Sequence, residues 1–291
     1  MAAPTDSPTT LLETARRAAE AAAAVHRDAA RLAPSSWTEK GRSDFVTEVD
    51  MQAEGRIVEI LLGDFPDHRI LAEEGSVAPA PGRTGGSEPE AGAAGEAGGP
   101  VRWIIDPLDG TTNWLHGYPE YAVSIAAVDG NGLAAGVVLN SATGELFEAA
   151  RGHGARRDGD PIRVSELEEL RLALVGTGFP FKQLDVLPAY LDTFSTVLRS
   201  TSGIRRAGSA ALDLCDVACG RLDAFFEFHL MPWDVAAGAL MVREAGGWFE
   251  PLAVAGLREE DGDPVVPGLP VGGFVAGGPG LREPFSSLLP G

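Results

Sequence analysis

The chain is poor in the residues on which many metal sites and covalent enzymes depend. It has two cysteines in 291 residues, Cys215 and Cys219, which share a predicted helix with no histidine or third cysteine near them in sequence. This spacing predicts buried, reduced core thiols rather than ligands or a disulfide framework. The five histidines cluster neither with one another nor with the cysteines, which argues against zinc.

Long apolar runs and a basic surface are also missing. No run approaches the roughly 18 apolar residues that a membrane helix needs. The N-terminus lacks a basic segment followed by an apolar core, so we expect no secretory signal and a cytoplasmic protein. A net charge of −19 at pH 7 argues against a nucleic-acid-binding surface and fits a protein that recruits cations locally.

The remaining composition, 44% hydrophobic and 22% charged, is typical of a globular chain long enough for two packed lobes. Apolar periodicity predicts a first helix over Pro8 to Ala33, a polar loop over Ser35 to Asp44 and a second helix ending at Gly63. Antiparallel strands should follow from Tyr121 to Ala149. Strands and helices then alternate, which predicts a layered α/β arrangement.

Two segments have the composition of loose inserts. Ser76 to Pro100 consists almost entirely of Gly, Ala, Pro and Glu, with Val77 as its only branched apolar residue. Such a segment buries too little apolar surface to offset its ordering entropy, so we expect a disordered surface loop. Pro251 to Gly273 is similarly rich in Gly and Pro.

The most informative stretch runs from Trp103 to Asn113. A short apolar strand leads into Asp106, and Pro107 should end that strand, leaving Asp106 and Asp109 on a tight loop that faces one point. Two anions held so close require a cation or a shared proton. Gly110 then opens a predicted helix whose backbone N–H groups suit a phosphate. These features favour metal-assisted phosphoryl chemistry, although Asp-Pro-x-Asp-Gly is also a common turn sequence.

Three further acidic segments accompany this motif: Lys40 to Asp50, the pair Glu73-Glu74, and Asp234 at the start of an apolar helix. Each has a structural explanation as well, because Asp234 could simply cap its helix and Glu73-Glu74 could be a solvated strand end. Their joint occurrence is more informative than any one of them.

Together with Asp-Pro-x-Asp-Gly-Thr-Thr-Asn, the segments Trp233 to Gly238, Gly208 to Asp213 and Gly220 to Asp223 resemble the inositol monophosphatase family of lithium-sensitive, magnesium-dependent phosphatases. The resemblance runs from about Lys40 to Gly247, and Ala72 departs mildly from it by replacing a frequent glycine. It implies an α/β (α+β) fold, the layered αβαβα sandwich of the inositol monophosphatase and fructose-1,6-bisphosphatase type. It also implies hydrolysis of a small phosphate monoester.

The resemblance also implies two to three Mg²⁺ ions per site. One ion would be held by Glu73, Asp106 and the Leu108 carbonyl, a second by Asp106, Asp109 and Asp234, and a third near Glu73 and Glu74. It divides the chain into an N-terminal lobe, residues 1–155, with most metal ligands, and a C-terminal lobe, residues 156–291, with the last ligand and the substrate-recognition residues.

For catalysis, the family pattern assigns water activation to Thr111, polarised by Asp50 and assisted by Glu73. The substrate-binding residues that it implies are Asp109, Gly110, Thr111, Gly208, Ala210, Glu227 and Asp234. Glu227 could also be a charged residue at the rim of the site, but we favour a residue that accepts a hydrogen bond from a substrate hydroxyl. Lys40 is the candidate for neutralising the loop over the metals.

The preferred substrate is an inositol monophosphate, which makes the chain a phosphoric monoester hydrolase. Fructose bisphosphate, 3′-phosphoadenosine nucleotides and histidinol phosphate remain alternatives, as does a regulatory binding protein of the transcription machinery. By the same resemblance we expect a homodimer with lithium sensitivity, and no direct contact with nucleic acid or membrane.

Overall fold

The structure, a computed structural model, describes residues 6–29, 38–41, 44–46, 48–75, 101–254 and 269–290, with the backbone alone for 38–41 and 44–46. The predicted insert from Ser76 to Pro100 and most of the one from Pro251 to Gly273 lie outside these residues. None of the helices in the described part of the chain is both long and apolar enough to cross a membrane.

Two packed helices form the first layer. Helix α1, Pro8–Asp28, begins where Ser7 Oγ accepts the Thr10 N–H at 3.2 Å. Helix α2, Glu48–Asp64, packs along it. The predicted end of α1 at Ala33 is wrong, because Ala29 is already extended and packs against the cluster that contains Trp114. A tertiary contact therefore overrides the helix propensity of the alanine-rich sequence.

The polar loop predicted for Ser35 to Asp44 is also wrong. Strand β1, Thr38–Gly41, pairs antiparallel with β2, Asp44–Val46, with Thr38 opposite Val46. The local sequence has no apolar alternation, so only the cross-strand pairing reveals this hairpin.

A seven-stranded sheet follows in the order β3-β4-β5-β6-β7-β8-β9. Strands β3 and β4 are parallel, and the later neighbours are antiparallel, as the sequence predicts for the hairpins after Tyr121. The strands are Arg69–Ala72, Arg102–Asp109, Ala122–Asp129, Gly132–Asn140, Leu146–Ala150, Gly154–Arg157 and Asp160–Pro161, and helix α3, Thr111–His116, follows β4.

The prediction that β4 ends at the first carboxylate is wrong. The strand continues through Pro107 to Asp109, and its register against β5 shifts between Asp106, opposite Ser124, and Asp109, opposite Ala122. The extra residue forms a β-bulge. A proline is tolerated there because no backbone N–H is needed for a hydrogen bond to the neighbouring strand. The bulge brings both aspartates to the same end of the sheet.

A second sheet has five strands in the order β11-β10-β12-β14-β13. Its strands are β10 Leu174–Thr177, β11 Gly203–Arg205, β12 Ala224–Leu230, β13 Trp248–Leu252 and β14 Gly272–Gly277. The accompanying helices are α4 Leu187–Ser200, α5 Ala210–Ala218, α6 Pro232–Glu244 and α7 Arg282–Ser286. The sequence analysis did not predict β13 or α7.

Three buried clusters define the order of the layers. One lies between α1, α2 and the first sheet, a second holds α5 and α6 between the two sheets, and a third lies between the second sheet, α4 and the C-terminal turn. This arrangement confirms the predicted αβαβα sandwich. The division into lobes near residue 155 stays a prediction, since α5 and α6 share one core with both sheets.

Stability should fall at acid pH because of His26 on α1. This side chain is 3% exposed, and its Nδ1 lies 2.9 Å from Ser141 Oγ. Burial, aided by the charge of Arg27, lowers the pKa of His26 to about 4. The unfolded chain has a histidine pKa near 6.5 and so binds more protons between these values. Stability present above pH 6.5 is therefore lost as the pH falls towards 4, by about 3 kcal/mol at most.

Urea unfolding of the wild type and of His26→Gln at several pH values between 7.5 and 4 measures this effect. The variant should show a shallower loss of unfolding free energy over that interval. His153→Gln, at an exposed position, is the control and should follow the wild type. An unchanged pH dependence in His26→Gln would assign the acid sensitivity to other groups.

Candidate functional site

A cavity of about 380 Å³ opens between the two sheets, at the end of β4. Its walls come from β3, the β4–α3 junction, the start of α5, strand β12 and the start of α6. The predicted site residues that line it are Glu73, Asp106, Leu108, Asp109, Gly110, Thr111, Gly208, Ala210, Glu227 and Asp234. The fold therefore brings together residues that are far apart in sequence, and the role of each stays a prediction.

Among the predicted residues whose side chains the structure describes, Asp50 and Glu74 do not line the cavity. Asp50 is 1% exposed on α2 and accepts a hydrogen bond from Thr111 Oγ1 at 3.2 Å. It therefore contacts the site through Thr111, which lines the cavity. The backbone N–H of Glu74 donates a hydrogen bond to Glu54 Oε2, at 3.1 Å. The side chain of Lys40 lies outside the described residues.

Gly110 sets the geometry of the β4–α3 junction. Its φ is +92°, and a Cβ there would lie 2.8 Å from the carbonyl oxygen of Glu120, so only glycine fits. The next residue, Thr111, then places Oγ1 at 3.0 Å from the Leu108 carbonyl and at 3.2 Å from Asp50 Oδ1. A hydroxyl has one proton, so Thr111 donates to one of these acceptors at a time.

Asp106 and Asp109 are each fixed through one carboxylate oxygen. Asp106 Oδ1 accepts the Leu108 N–H at 2.9 Å. Asp109 Oδ2 accepts the Ser209 hydroxyl at 2.6 Å and the Ala211 N–H at 2.8 Å. Because Ser209 also caps α5, the start of that helix and the end of β4 are joined at this aspartate.

Asp234 caps the start of its helix and also faces the cavity, and its role as a metal ligand stays a prediction. It lines the cavity, and its Oδ2 accepts the Met231 N–H at 2.7 Å, which caps α6. The same hydrogen bond fixes the direction of the side chain.

The carboxylates in the cavity repel one another. Burial, followed by the charges of Glu73, Asp109 and Asp234, raises the pKa of Asp106 well above its usual range. This excess of negative charge and the all-oxygen donor set fit a hard cation such as Mg²⁺. In the described part of the chain, no three or more His, Cys, Asp or Glu side chains are grouped closely enough to hold a metal ion.

Two cations at the cavity were missed by the sequence analysis. Lys182 Nζ lies 3.9 Å from Glu73 Oε1. The Arg206 guanidinium stacks over the rings of Phe179 and Phe181, at 5.4 and 5.2 Å from their centroids. The sequence signal was the aromatic segment directly after β10, which places both rings and Lys182 at the mouth of the cavity.

The conformation of Gly208 accommodates that arginine. Its φ is +100°, and a Cβ there would lie 2.4 Å from Arg206 Nη1 and 2.9 Å from Asn113 Nδ2. Asn113 Nδ2 itself donates to the carbonyls of Glu120, at 2.6 Å, and Ala207, at 3.0 Å. The glycine is therefore required for the packing of this wall.

Glu227 faces the inside of the cavity. A Cβ on Gly178 would lie 1.9 Å from Glu227 Oε1, so the carboxyl rests on the backbone after β10. Burial first, then the charges of Asp234 and Asp109, raise the pKa of Glu227 to about 8, and Arg206 opposes the shift. The raised pKa favours the protonated carboxyl, which can donate as well as accept a hydrogen bond.

A second hollow, of about 530 Å³, is larger but does not contain the motif carboxylates. Two of its acidic side chains are paired with a cation, because Arg221 donates to both oxygens of Glu145, at 2.7 and 2.5 Å, and to Asp216 at 3.1 Å. We therefore place the candidate site in the smaller cavity.

Comparison with known proteins identifies the family to which the chain belongs. The family model described as the inositol monophosphatase family matches residues 7–268. The chain belongs to the inositol monophosphatase family. Its members are phosphatases and are generally magnesium-dependent, so the resemblance inferred from the motifs is confirmed.

Individual members of this family match most of the chain. Nus factor SuhB of Pseudomonas aeruginosa is 47% identical over 240 residues, 81% of this chain and 83% of that protein. Inositol-1-monophosphatase of Synechocystis sp. is 45% identical over 210 residues, 72% of this chain and 68% of that protein. The crystal structure of extragenic suppressor protein suhB from Bartonella henselae superposes with a TM-score of 0.78 at 34% identity, covering 96% of this chain and 97% of its own.

Proposed function

We propose that this phosphatase hydrolyses inositol monophosphate to inositol and phosphate by direct attack of water. The observation that carries the proposal is the position of the Thr111–Asp50 hydrogen bond, 3.2 Å long, at the edge of a cavity lined by mutually repelling carboxylates. This geometry supports a general-base relay beside a cation site, the combination that hydrolysis of a phosphate ester requires.

The residues that would hold magnesium are Glu73, Asp106, Asp109, Asp234 and the carbonyl of Leu108, for two to three ions. Bound Mg²⁺ supplies positive charge that polarises the phosphoryl group and makes water more acidic. Without that charge the same carboxylates repel an anionic substrate, so binding of the phosphate depends on their neutralisation.

The protein's own part in the reaction is proton transfer. As water attacks phosphorus, its O–H bond breaks and the proton passes to Thr111 Oγ1, which hands its own proton to Asp50 Oδ1. Glu73 lies on the cavity wall and assists the orientation of the water. The bond from the water oxygen to phosphorus forms as the phosphorus–oxygen ester bond breaks; the leaving alkoxide takes a proton from solvent water, and Asp50 returns its proton to solvent. The backbone N–H groups of Gly110 and Thr111 hold the phosphate oxygens.

The leaving alcohol occupies the other half of the cavity. Glu227 projects into it from β12, and Gly208 and Ala210 form the adjacent wall. Asp109 and Asp234 reach the alcohol from the metal side. These polar groups favour a polyhydroxylated alcohol such as inositol over an apolar one.

Phosphate release from a panel of monoesters, each with and without magnesium, tests this assignment. The panel comprises inositol 1-phosphate, fructose 1,6-bisphosphate, 3′-phosphoadenosine 5′-phosphate, histidinol phosphate and p-nitrophenyl phosphate. We expect the highest kcat/KM for inositol 1-phosphate and release only with magnesium. If kcat/KM for the bisphosphate or the nucleotide were tenfold higher than for inositol 1-phosphate, the same site would be assigned to that substrate instead.

A second candidate role, in the transcription machinery, rests on the relative from Pseudomonas aeruginosa that is named a Nus factor. The two roles are separable by experiment. Asp106→Asn should abolish phosphate release, whereas a purely binding role would survive this change and be seen as retained association with transcription proteins.

From the family membership, we also propose that the protein forms a homodimer and is sensitive to lithium. The predicted absence of nucleic-acid contact stays a prediction, based on the net charge of −19.

A further inference from the structure

Asp213 is a buried carboxyl that the proposed reaction does not use. It lies on α5, is 2% exposed and nevertheless lines the cavity. Within the residues that the structure describes, its carboxyl makes no side-chain hydrogen bond or ion pair. A buried carboxyl without a partner costs stability, so the scaffold alone gives no reason for an aspartate here.

Strand β10 and the residue after it pack closely against the side chains of Asp213 and Glu227. A Cβ on Gly176 would lie 3.6 Å from Asp213 Cβ, and a Cβ on Gly178 would overlap the carboxyl of Glu227. Thr177 stands between the two glycines and also lines the cavity. Gly176 in β10 therefore packs against Asp213, and Gly178, just after that strand, packs against the carboxyl of Glu227.

Burial and the surrounding negative charge both disfavour ionisation of the Asp213 carboxyl. Burial, followed by the charges of Glu227, Asp216, Asp109 and Glu120, raises the pKa of Asp213 well above its usual range. A carboxyl can pair with an alcohol hydroxyl in either protonation state, because it accepts a hydrogen bond when ionised and also donates one when protonated. The polar partner missing from the protein is thus one that a polyol provides.

We propose that Asp213 is a substrate-binding residue, which hydrogen-bonds a hydroxyl of the leaving alcohol alongside Glu227. This inference rests on the proposed phosphatase function and narrows its substrate class. Two carboxyls on one wall select an alcohol with several hydroxyl groups over an aryl or simple alkyl alcohol.

The test compares inositol 1-phosphate with p-nitrophenyl phosphate, which has no hydroxyl to pair. Asp213→Leu should lower kcat/KM for inositol 1-phosphate roughly ten- to hundredfold, the usual effect of losing a buried hydrogen-bond partner, with little change for the aryl ester. Asp213→Asn keeps a donor and an acceptor and should retain most of the activity. Asp216→Asn is the matched control, since Asp216 lies on the same helix but lines the other hollow, and both substrates should be unaffected.

Thermal melting checks that each variant is folded, and Asp213→Leu should melt above the wild type because a buried carboxyl is removed. If the leucine does not fit, Asp213→Ala removes the same groups without added bulk. Equal losses on both esters, or no loss on either, would overturn the role of Asp213 while the phosphatase assignment stands. A wild type that releases phosphate from neither ester would instead overturn the proposed function.

Discussion

Replacing Thr111 with alanine should lower turnover by about 10²–10⁴-fold, the usual contribution of general acid–base catalysis. Magnesium affinity should stay near that of the wild type, because the change removes no predicted metal ligand. The structural reason is that Thr111 Oγ1 contacts Asp50 and the Leu108 carbonyl rather than a predicted metal-binding carboxylate. Initial rates and calorimetric magnesium titrations of the same samples measure both quantities.

The hydroxyl and its acceptor should act as a unit. Asp50→Asn alone, Thr111→Ala alone and the double variant should therefore show similar losses, since either change breaks the same proton path. Thr111→Ser keeps the hydroxyl and should retain most of the turnover. Additive losses in the double variant, or a Thr111→Ala protein that no longer binds magnesium, would contradict this division of roles.

Replacing Asp106 with asparagine should have opposite effects on the metal-free and metal-loaded protein. Asp106 is 1% exposed and surrounded by Glu73, Asp109 and Asp234, so removing its charge relieves repulsion and should raise the Tm of the metal-free protein. Magnesium at 100 times its Kd stabilises a protein by about 2.7 kcal/mol. That stabilisation should appear in the wild type and be lost in Asp106→Asn, together with phosphate release.

Asp129→Asn provides the matched control for this measurement. Asp129 ends β5 away from the cavity and is paired with Arg151, with Asp129 Oδ2 at 2.5 Å from Arg151 Nη2. That pairing lowers the pKa of Asp129, so the substitution should destabilise the protein and leave the magnesium-induced rise in Tm intact. If Asp106→Asn melted below the wild type without magnesium and still gained stability with it, Asp106 would not belong to the metal site.

The layered fold and the residues around the cavity were accessible from the sequence because each has a local signal. Apolar periodicity predicted α1, α2 and the hairpins of the first sheet, and the Asp106 to Asn113 motif located the cavity. The errors arose where a distant contact decides the local structure. Ala29 leaves α1 to pack near Trp114, and Pro107 is accommodated by a bulge that exists only because β5 pairs beyond it.

The cavity residues that the sequence missed have weak local signals for a different reason. Lys182 and Arg206 are ordinary charged residues in a chain with 23 basic and 42 acidic ones, and Asp213, which ends the motif from Gly208, was given no role of its own. They gain significance through their neighbours: Glu73 beside Lys182, the aromatic rings under Arg206, and Glu227 near Asp213. A single sequence does not show which charges the fold brings together.

The central claim, that these carboxylates serve metal-dependent hydrolysis of a phosphate monoester, is tested most directly by titrating magnesium into EDTA-treated, dialysed protein with inositol 1-phosphate present. Phosphate release should be absent at first and then rise to saturation, with its midpoint near the magnesium Kd from calorimetry. Asp106→Asn should release none at any concentration. Release that persists in EDTA, or none from protein that calorimetry shows to be saturated with magnesium, would contradict the account.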